Sequence, residues 1–334
     1  MSRLLISQPK LTIWAEKIGT ASLPQSEHDY RLVMALRDLF QQEDLRRELA
    51  FKGGTALNKL YFGEANRLSV DLDFNAIGPQ RRTVRRGAEL RKLVEGVLRE
   101  QDPEYQLSYK YSEGQTAVAA RYRPLAGIAP QPIKVEISVV ESVPILGLVE
   151  KTMEGPEGPV GVRTYTLDEL LATKIRALYD RRKGRDIYDL DRARAFRFDE
   201  RALRKLVYYY FFRSGKIFNW SLFRQNLEKK AEDRRFGEDV RPFLRPDIAF
   251  DARSAAGSFL ERFAFLGEPE APELAFLETA KVLVGRTQSE KKKARALKGR
   301  HPVRDLMAGM TITDEAAALT IEDLRPTLPK EAGQ

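Results

Sequence analysis

Residues 69–74 read Ser69-Val70-Asp71-Leu72-Asp73-Phe74, a strict alternation of polar and apolar side chains. Successive side chains of a β-strand point to opposite faces, so Ser69, Asp71 and Asp73 share one face and Val70, Leu72 and Phe74 the other. The apolar face can bury against helices, while the opposite face carries two carboxylates close together. Like charges side by side repel unless a cation lies between them, and an all-oxygen donor pair suits Mg²⁺ or Mn²⁺. A solvated strand face has the same alternation, so either reading predicts a strand over 70–74.

Toward the N-terminus, Lys52-Gly53-Gly54-Thr55 joins an expected strand over 47–52 to an expected helix over 56–62 that stops at Gly63. Two glycines let the backbone approach a phosphate closely, and the N–H groups that open a helix can donate to it. Further upstream, Val33, Leu36, Phe40 and Leu45 recur at helical spacing and predict a helix over 26–45 with Ser26 as N-cap. Toward the C-terminus come a basic helix over 84–100 and strands over 105–111, 116–122 and 133–140. In the last of these, Lys134, Glu136 and Ser138 alternate with Val135, Ile137 and Val139, so Glu136 is the candidate third carboxylate on a wet strand face. The Gly/Pro-rich stretch 153–161 reads as a linker or long turn.

Beyond it the pattern turns helical, over 167–180, 186–194, 199–213, 257–266, 272–284 and 313–319. Thr166 and Glu169 have the spacing of a capping box. The helix they open carries a stripe at Leu167, Leu170, Leu171, Lys174, Ile175 and Leu178, apolar except for Lys174. A buried ammonium needs an anionic partner, and a triphosphate is one candidate. The alternative is a lysine whose stem packs while its head reaches water. Asp186 and Asp189 sit at i, i+3, either as an N-cap and a first-turn acid or as part of a site. The basic turn 181–185 between them and Lys174 suits phosphate or simply solvent.

The chain has 334 residues, with 57 Lys and Arg against 48 Asp and Glu, a formal charge of +9. The surplus favours an anionic partner such as nucleic acid or nucleotide, although many basic proteins share it. Cysteine is absent, which excludes disulfides, thiolate zinc sites and a Cys nucleophile. Apolar content of 43% and charged content of 31% exclude global disorder. Met1 to Trp14 lacks the apolar core of a signal peptide, and no apolar run approaches the ~18 residues that span a bilayer. The expectation is a soluble, cytoplasmic protein with no membrane partner. The basic runs 81–86 and 291–300 are candidate RNA tracks or solvated faces. The aromatic block Tyr208 to Phe212 reads as core, and His28 and His301 are too scattered for a metal cluster.

Four stretches together, FKGGTALNKLY at 51–61, RLSVDLDF at 67–74, KVEIS at 134–138 and LLATKIRALYDRRKGRDIYDL at 170–190, resemble the nucleotidyltransferase superfamily and within it the AbiEii/AbiGii (MenT-like) toxin family. The resemblance spans 51–190. It implies an α+β fold, with a nucleotidyltransferase-like mixed sheet and flanking helices over 1–155. A mostly helical domain over 160–334 would contribute Lys174 and Asp186 to the site. The implied activity is that of a metal-dependent toxin of a toxin–antitoxin system, adding nucleotides from NTP to the 3′ acceptor end of tRNA and so blocking translation. A cognate antitoxin protein is the implied partner. The implied catalytic set is Asp71, Asp73, Glu136, Lys174 and Asp186. Gly53, Gly54, Thr55, Ser69 and Lys174 would bind nucleotide, and Asp71, Asp73 and Glu136 would hold Mg²⁺ or Mn²⁺. Nucleotidylation of a protein target and metal-dependent RNA hydrolysis are the alternative activities, and a non-catalytic RNA-binding module is the remaining one.

Overall fold

The strand segments pair into one mixed seven-stranded sheet, with burial alternating most clearly along its fourth and fifth strands in chain order. The computed structural model describes residues 4–320 apart from 21, 64–66, 78–83, 113, 126–131, 141–142, 285–288, 290–296 and 298, together with 323. The strands are β1 (Leu49–Lys52), β2 (Leu72–Ala76), β3 (Gln106–Ser112), β4 (Gln115–Arg121), β5 (Ile133–Ser138), β6 (Leu148–Gly155) and β7 (Gly158–Tyr165). Their order across the sheet is β3-β4-β5-β2-β1-β7-β6. β2 runs parallel to β5 and β1 parallel to β7, and the other neighbours are antiparallel. The chain forms two compact units, the first Met1–Pro144, Leu148–Thr166 and Arg241–Ala249, the second Ile145–Gly147, Leu167–Val240 and Phe250–Gln334.

In the sheet unit, one side of the central strands is mostly apolar. Phe51, Leu72, Phe74, Val118, Ile133, Val135 and Ile137 are buried there. The helices are α1 (Gln8–Ile18), α2 (Leu23–Gln41), α3 (Glu43–Glu48), α4 (Gly53–Leu57), which runs into a π-helical turn over Asn58–Phe62, and α5 (Val84–Gln101). α2 and α5 pack on the sheet, and α1 packs on α2.

Several local expectations change. The first long helix begins at Leu23, not after Ser26. Ser22 caps it by accepting from the Gln25 N–H, and a proline lies in its first turn, where the missing N–H costs nothing. Ser26 lies inside the helix, and its hydroxyl donates to the Leu11 carbonyl at 2.7 Å. The helix ends at Gln41, and Gln42 caps α3 by accepting from the Leu45 N–H at 2.6 Å, which delays β1 to Leu49. The ladder of β2 begins at Leu72, two residues later than expected. The carbonyls of Val70 and Asp71 are bonded off the sheet, to His28 and to the Thr55 hydroxyl. α1 carried no expectation at all. Of the two readings of 153–161 the turn holds and the linker does not: the stretch is the tip of the β6–β7 hairpin, with Pro156 and Glu157 in the turn and Gly155 paired with Gly158 at φ +106°. Met153, Val160 and Val162 are buried, so the sheet unit continues to Thr166 rather than ending near 155.

The second unit is helical: α6 (Leu167–Asp180), α7 (Gly184–Ala193), α8 (Glu200–Arg213), α9 (Trp220–Glu232), α10 (Ala252–Arg262) and α11 (Ala271–Val284), with shorter helices at Pro302–Leu306 and Asp314–Ala317. α6 packs on α8, α7 and α9. The aromatic block Tyr208 to Phe212 is core, as expected. Phe211 meets Phe218 edge-on at 4.9 Å between ring centres, and Phe212 meets Phe276 at 5.6 Å. Residues 81–83, 291–296 and 298 of the two basic runs lie outside the described residues. Arg86, which is described, pairs with Glu48 and Glu89.

Candidate active site

Register brings the strand carboxylates to one face. Asp73 on β2 stands opposite Glu136 on β5, and Lys52 on β1 stands opposite Asp73. Asp71 lies just before the ladder, which begins at Leu72. All three carboxylates are half-buried. Glu136 pairs with Lys134 and accepts from the Gln115 amide at 2.7 Å.

Gly53 closes β1 and opens α4 at φ +81°, a region where only glycine sits without strain. A Cβ placed on it would collide with Asp73 Oδ2, so the diglycine bend and the Asp73 carboxylate occupy adjoining space. Thr55 locks this arrangement: its buried hydroxyl donates to the Asp71 carbonyl at 2.7 Å, tying the helix start to the strand start. His28 Nε2 lies 3.2 Å from the Val70 carbonyl and braces the same segment. Asn58 Nδ2 donates to the Gly54 carbonyl at 2.6 Å. Ser69 is 2% exposed, and its hydroxyl has no hydrogen-bond partner. A buried hydroxyl left unmatched is costly, and a bound polar ligand would satisfy it.

Among the described residues no three His, Asp or Glu side chains gather closely enough to hold an ion as they stand. The donor chemistry nevertheless fits a hard divalent cation: oxygen ligands only, from adjoining positions of neighbouring strands. Glu136 would have to turn from Lys134 to join a cation site.

In the helical unit, Lys174 is 6% exposed and its ammonium lies 3.1 Å from Asp186 and 2.9 Å from Asp189. Arg181 clamps Asp186 with two bonds, at 2.7 and 2.9 Å. Two cations and two anions thus meet here, with Lys174, Asp186 and Asp189 buried and Arg181 reaching in from an exposed position. Burial pushes the Asp186 carboxyl up, but Lys174 and Arg181 outweigh it and hold the group well below the usual carboxylate range. The partner expected for the buried lysine is therefore supplied by the protein itself. Asp186 is not an N-cap: α7 begins at Gly184, two residues earlier, because the Gly184 N–H donates to Asp239 and a Cβ there would strike Gly237. In the basic turn, Arg182 pairs with Asp233 and Arg185 with Asp239.

Besides Arg181, which the sequence offered only as part of a basic turn, two residues here were not among the expected site residues. Asp189 has a readable signal, its i, i+3 spacing from Asp186. Lys230 has none: it reaches from α9 to donate to the carbonyls of Leu178, Tyr179 and Arg181, closing the end of α6. Glu169 is more than a cap partner. Its buried carboxylate accepts from the Ile145 and Leu146 N–H groups and the Tyr210 hydroxyl.

A mixed sheet that sets paired carboxylates beside a diglycine strand-to-helix bend is the architecture of a nucleotidyltransferase. The model of the AbiEii nucleotidyl transferase toxins of type IV toxin–antitoxin systems matches residues 35–257, and the chain belongs to that family. Among solved structures, the nucleotidyltransferase toxin MenT4 of Mycobacterium tuberculosis is similar in fold, with a TM-score of 0.61 and 19% identity over 83% of this chain and 99% of that one. JHP933 of Helicobacter pylori aligns at 19% identity over 74% of this chain and 93% of its own, with a TM-score of 0.45. None of the curated proteins matches the sequence. Among the described residues no helix is long and apolar enough to cross a membrane.

Proposed function

We propose that this toxin transfers a nucleotide from NTP to the 3′ acceptor end of tRNA, in the cytoplasm, and is restrained by a cognate antitoxin. The observation that carries the reading is the apposition of Gly53 and Asp73, a bend without room for a Cβ against a strand carboxylate. In this proposal the oxygen of the RNA 3′-hydroxyl attacks the α-phosphorus of the nucleotide. The bond from that phosphorus to the β-phosphate oxygen breaks, pyrophosphate leaves, and Glu136 takes the hydroxyl proton. Gly53, Gly54 and Thr55 shape the turn for the triphosphate, and the Ser69 hydroxyl donates to a phosphate oxygen. Asp71, Asp73 and Glu136 are the residues that would hold Mg²⁺ or Mn²⁺, which when bound supplies positive charge to the phosphates.

The test incubates purified protein with each α-labelled NTP, total RNA and a soluble protein fraction, with Mg²⁺ or with EDTA. Label on tRNA that disappears with EDTA is the expected result. Label on protein, or shortened RNA, would replace this reading by protein nucleotidylation or by RNA hydrolysis.

A further inference from the structure

The row that holds the carboxylates does not stop at them. Across the sheet, Asp73 of β2 stands opposite Glu136 of β5, Glu136 opposite Ala117 of β4, and Ala117 opposite Lys110 of β3. The parallel row toward one end reads Lys134, Ala119 and Ser108, and beyond it Arg121 stands opposite Gln106. On the other side of the carboxylate row lie Ser138, Gln115 and Ser112. These positions share one face because residues paired across a sheet point the same way. The opposite face is the one that α5 covers, with Val118 and Ala120 fully buried.

The face is built unlike a wall. Its β4 positions nearest the carboxylates are both alanine, and its β3 positions Ser108, Lys110 and Ser112 are exposed. β3 is the sheet edge. On the β3 and β4 positions of this face there is no Asp or Glu, whereas Lys110, Arg121 and, on β5, Lys134 are cationic. The three interstrand steps from Asp73 to Lys110 cover about 14 Å. The surface is thus a low, basic ramp leading from the sheet edge to the carboxylates.

We propose that this ramp, the outer face of β3, β4 and the start of β5, is the docking surface for the single-stranded 3′ end of the acceptor RNA. It rests on the reading of the protein as an RNA nucleotidyltransferase and adds the path by which the acceptor arrives. Lys110 and Arg121 meet backbone phosphates. Ala117 and Ala119 leave room for the last few nucleotides to lie flat, with the terminal hydroxyl directed at Glu136. Affinity on such a surface comes largely from counterion release and is therefore steep in salt. Tyr109 and Tyr111 alternate to the other side of β3, where Arg91 stacks on Tyr109 at 4.1 Å, and take no part.

The experiment measures binding of an RNA duplex with a single-stranded 3′ overhang, and of its blunt counterpart, by fluorescence anisotropy against salt. The same proteins are assayed for nucleotide transfer and for NTP binding. Lys110→Glu/Arg121→Glu should weaken overhang binding at least about tenfold near 0.1 M salt and flatten the log–log salt slope by about 1.4, two single-strand contacts at 0.7 each. NTP affinity and thermal midpoint should stay at wild-type values. Ala119→Trp, which changes no charge, should raise the RNA KM with little change in kcat. Arg224→Glu/Lys229→Glu, a charge-matched pair on exposed positions of α9, should behave as wild type. If the wild type labels RNA while both ramp variants bind and react normally, the ramp assignment is overturned and the enzymatic reading stands. Equal losses for blunt and overhang RNA would overturn the single-strand assignment. A wild type that neither binds nor labels RNA, or that labels only protein, overturns both.

Discussion

The two acidic clusters of this protein are built on opposite principles. Asp73 and Glu136 lie on a strand face and Asp71 just before it, all half-open to solvent, beside a bend that leaves no space for a side chain. Asp186 and Asp189 lie in a helical core, sealed from water and matched one for one by Lys174 and Arg181. A carboxylate that faces solvent can offer its lone pairs to a ligand. Sealed acids must spend theirs on protein cations, because an unmatched buried charge is far more costly than the pair itself is worth. Removing an open acid should therefore cost chemistry, and removing a sealed charge should cost folding.

The strongest test of that contrast is Asp71→Asn. Transfer activity should fall at least about 10³-fold, roughly 4 kcal/mol of barrier, with the thermal midpoint held near wild type. Initial rates with labelled NTP, paired with a melting curve on the same sample, check it. Full activity would remove the strand carboxylates from the reaction.

Lys174→Met should do the reverse in stability, by about 3–5 kcal/mol, since it leaves two buried carboxylates with only the exposed Arg181 to offset them. The double variant Lys174→Met/Asp189→Leu should regain most of that loss, because Arg181 and Asp186 then remain as a balanced pair. Urea unfolding of the single and double variants measures both. If both are still inactive after stability is restored, Lys174 acts in the chemistry as well as in the fold.

Gly53→Ala is intermediate and joins the two kinds of cost. The methyl group would have to take φ +81° and displace the Asp73 carboxylate. A stability loss of about 1–3 kcal/mol is expected. A larger fractional loss of activity should accompany it, because the displaced group is a proposed reacting one. Gly54→Ala, at a position without positive φ among the backbone torsions, should be milder in both.

How much of this was readable depends on how local each signal is. The faces of 72–74 and 133–138 follow from period-two alternation alone, and the structure keeps them, whereas 69–71 lie before the strand with Ser69 and Val70 both buried. So does the stripe that turns Lys174 inward. The hairpin at 148–165 was not readable as strands, because the glycines and proline of its tip carry a turn signal that swamps the short alternation of Val160 and Val162. The start of the first long helix was misplaced because Ser26 offers the same hydroxyl as Ser22, and only the proline after Ser22 separates them. Pairings such as Glu169 with Ile145, or Lys230 with the end of α6, join residues far apart in sequence and have no periodic trace.

The smallest expected effect concerns acid stability. Asp186 holds its proton less tightly folded than unfolded, since Lys174 and Arg181 favour the charged form. An aspartate in the unfolded chain titrates near 3.9. Above that pH both states are ionised and the full stabilising contribution is present. As pH falls through about 4 the unfolded chain takes up a proton that the folded chain still refuses, so stability drops, and it continues to drop until the folded group is protonated too. Asp186→Asn cannot titrate. It should start less stable at neutral pH, yet lose less between pH 5 and pH 3 than the wild type does. Thermal midpoints across that range decide it: parallel curves for the two proteins would mean that the sealed cluster does not discriminate between the charged and neutral forms of Asp186, and the contrast with the open strand acids would lose its electrostatic basis.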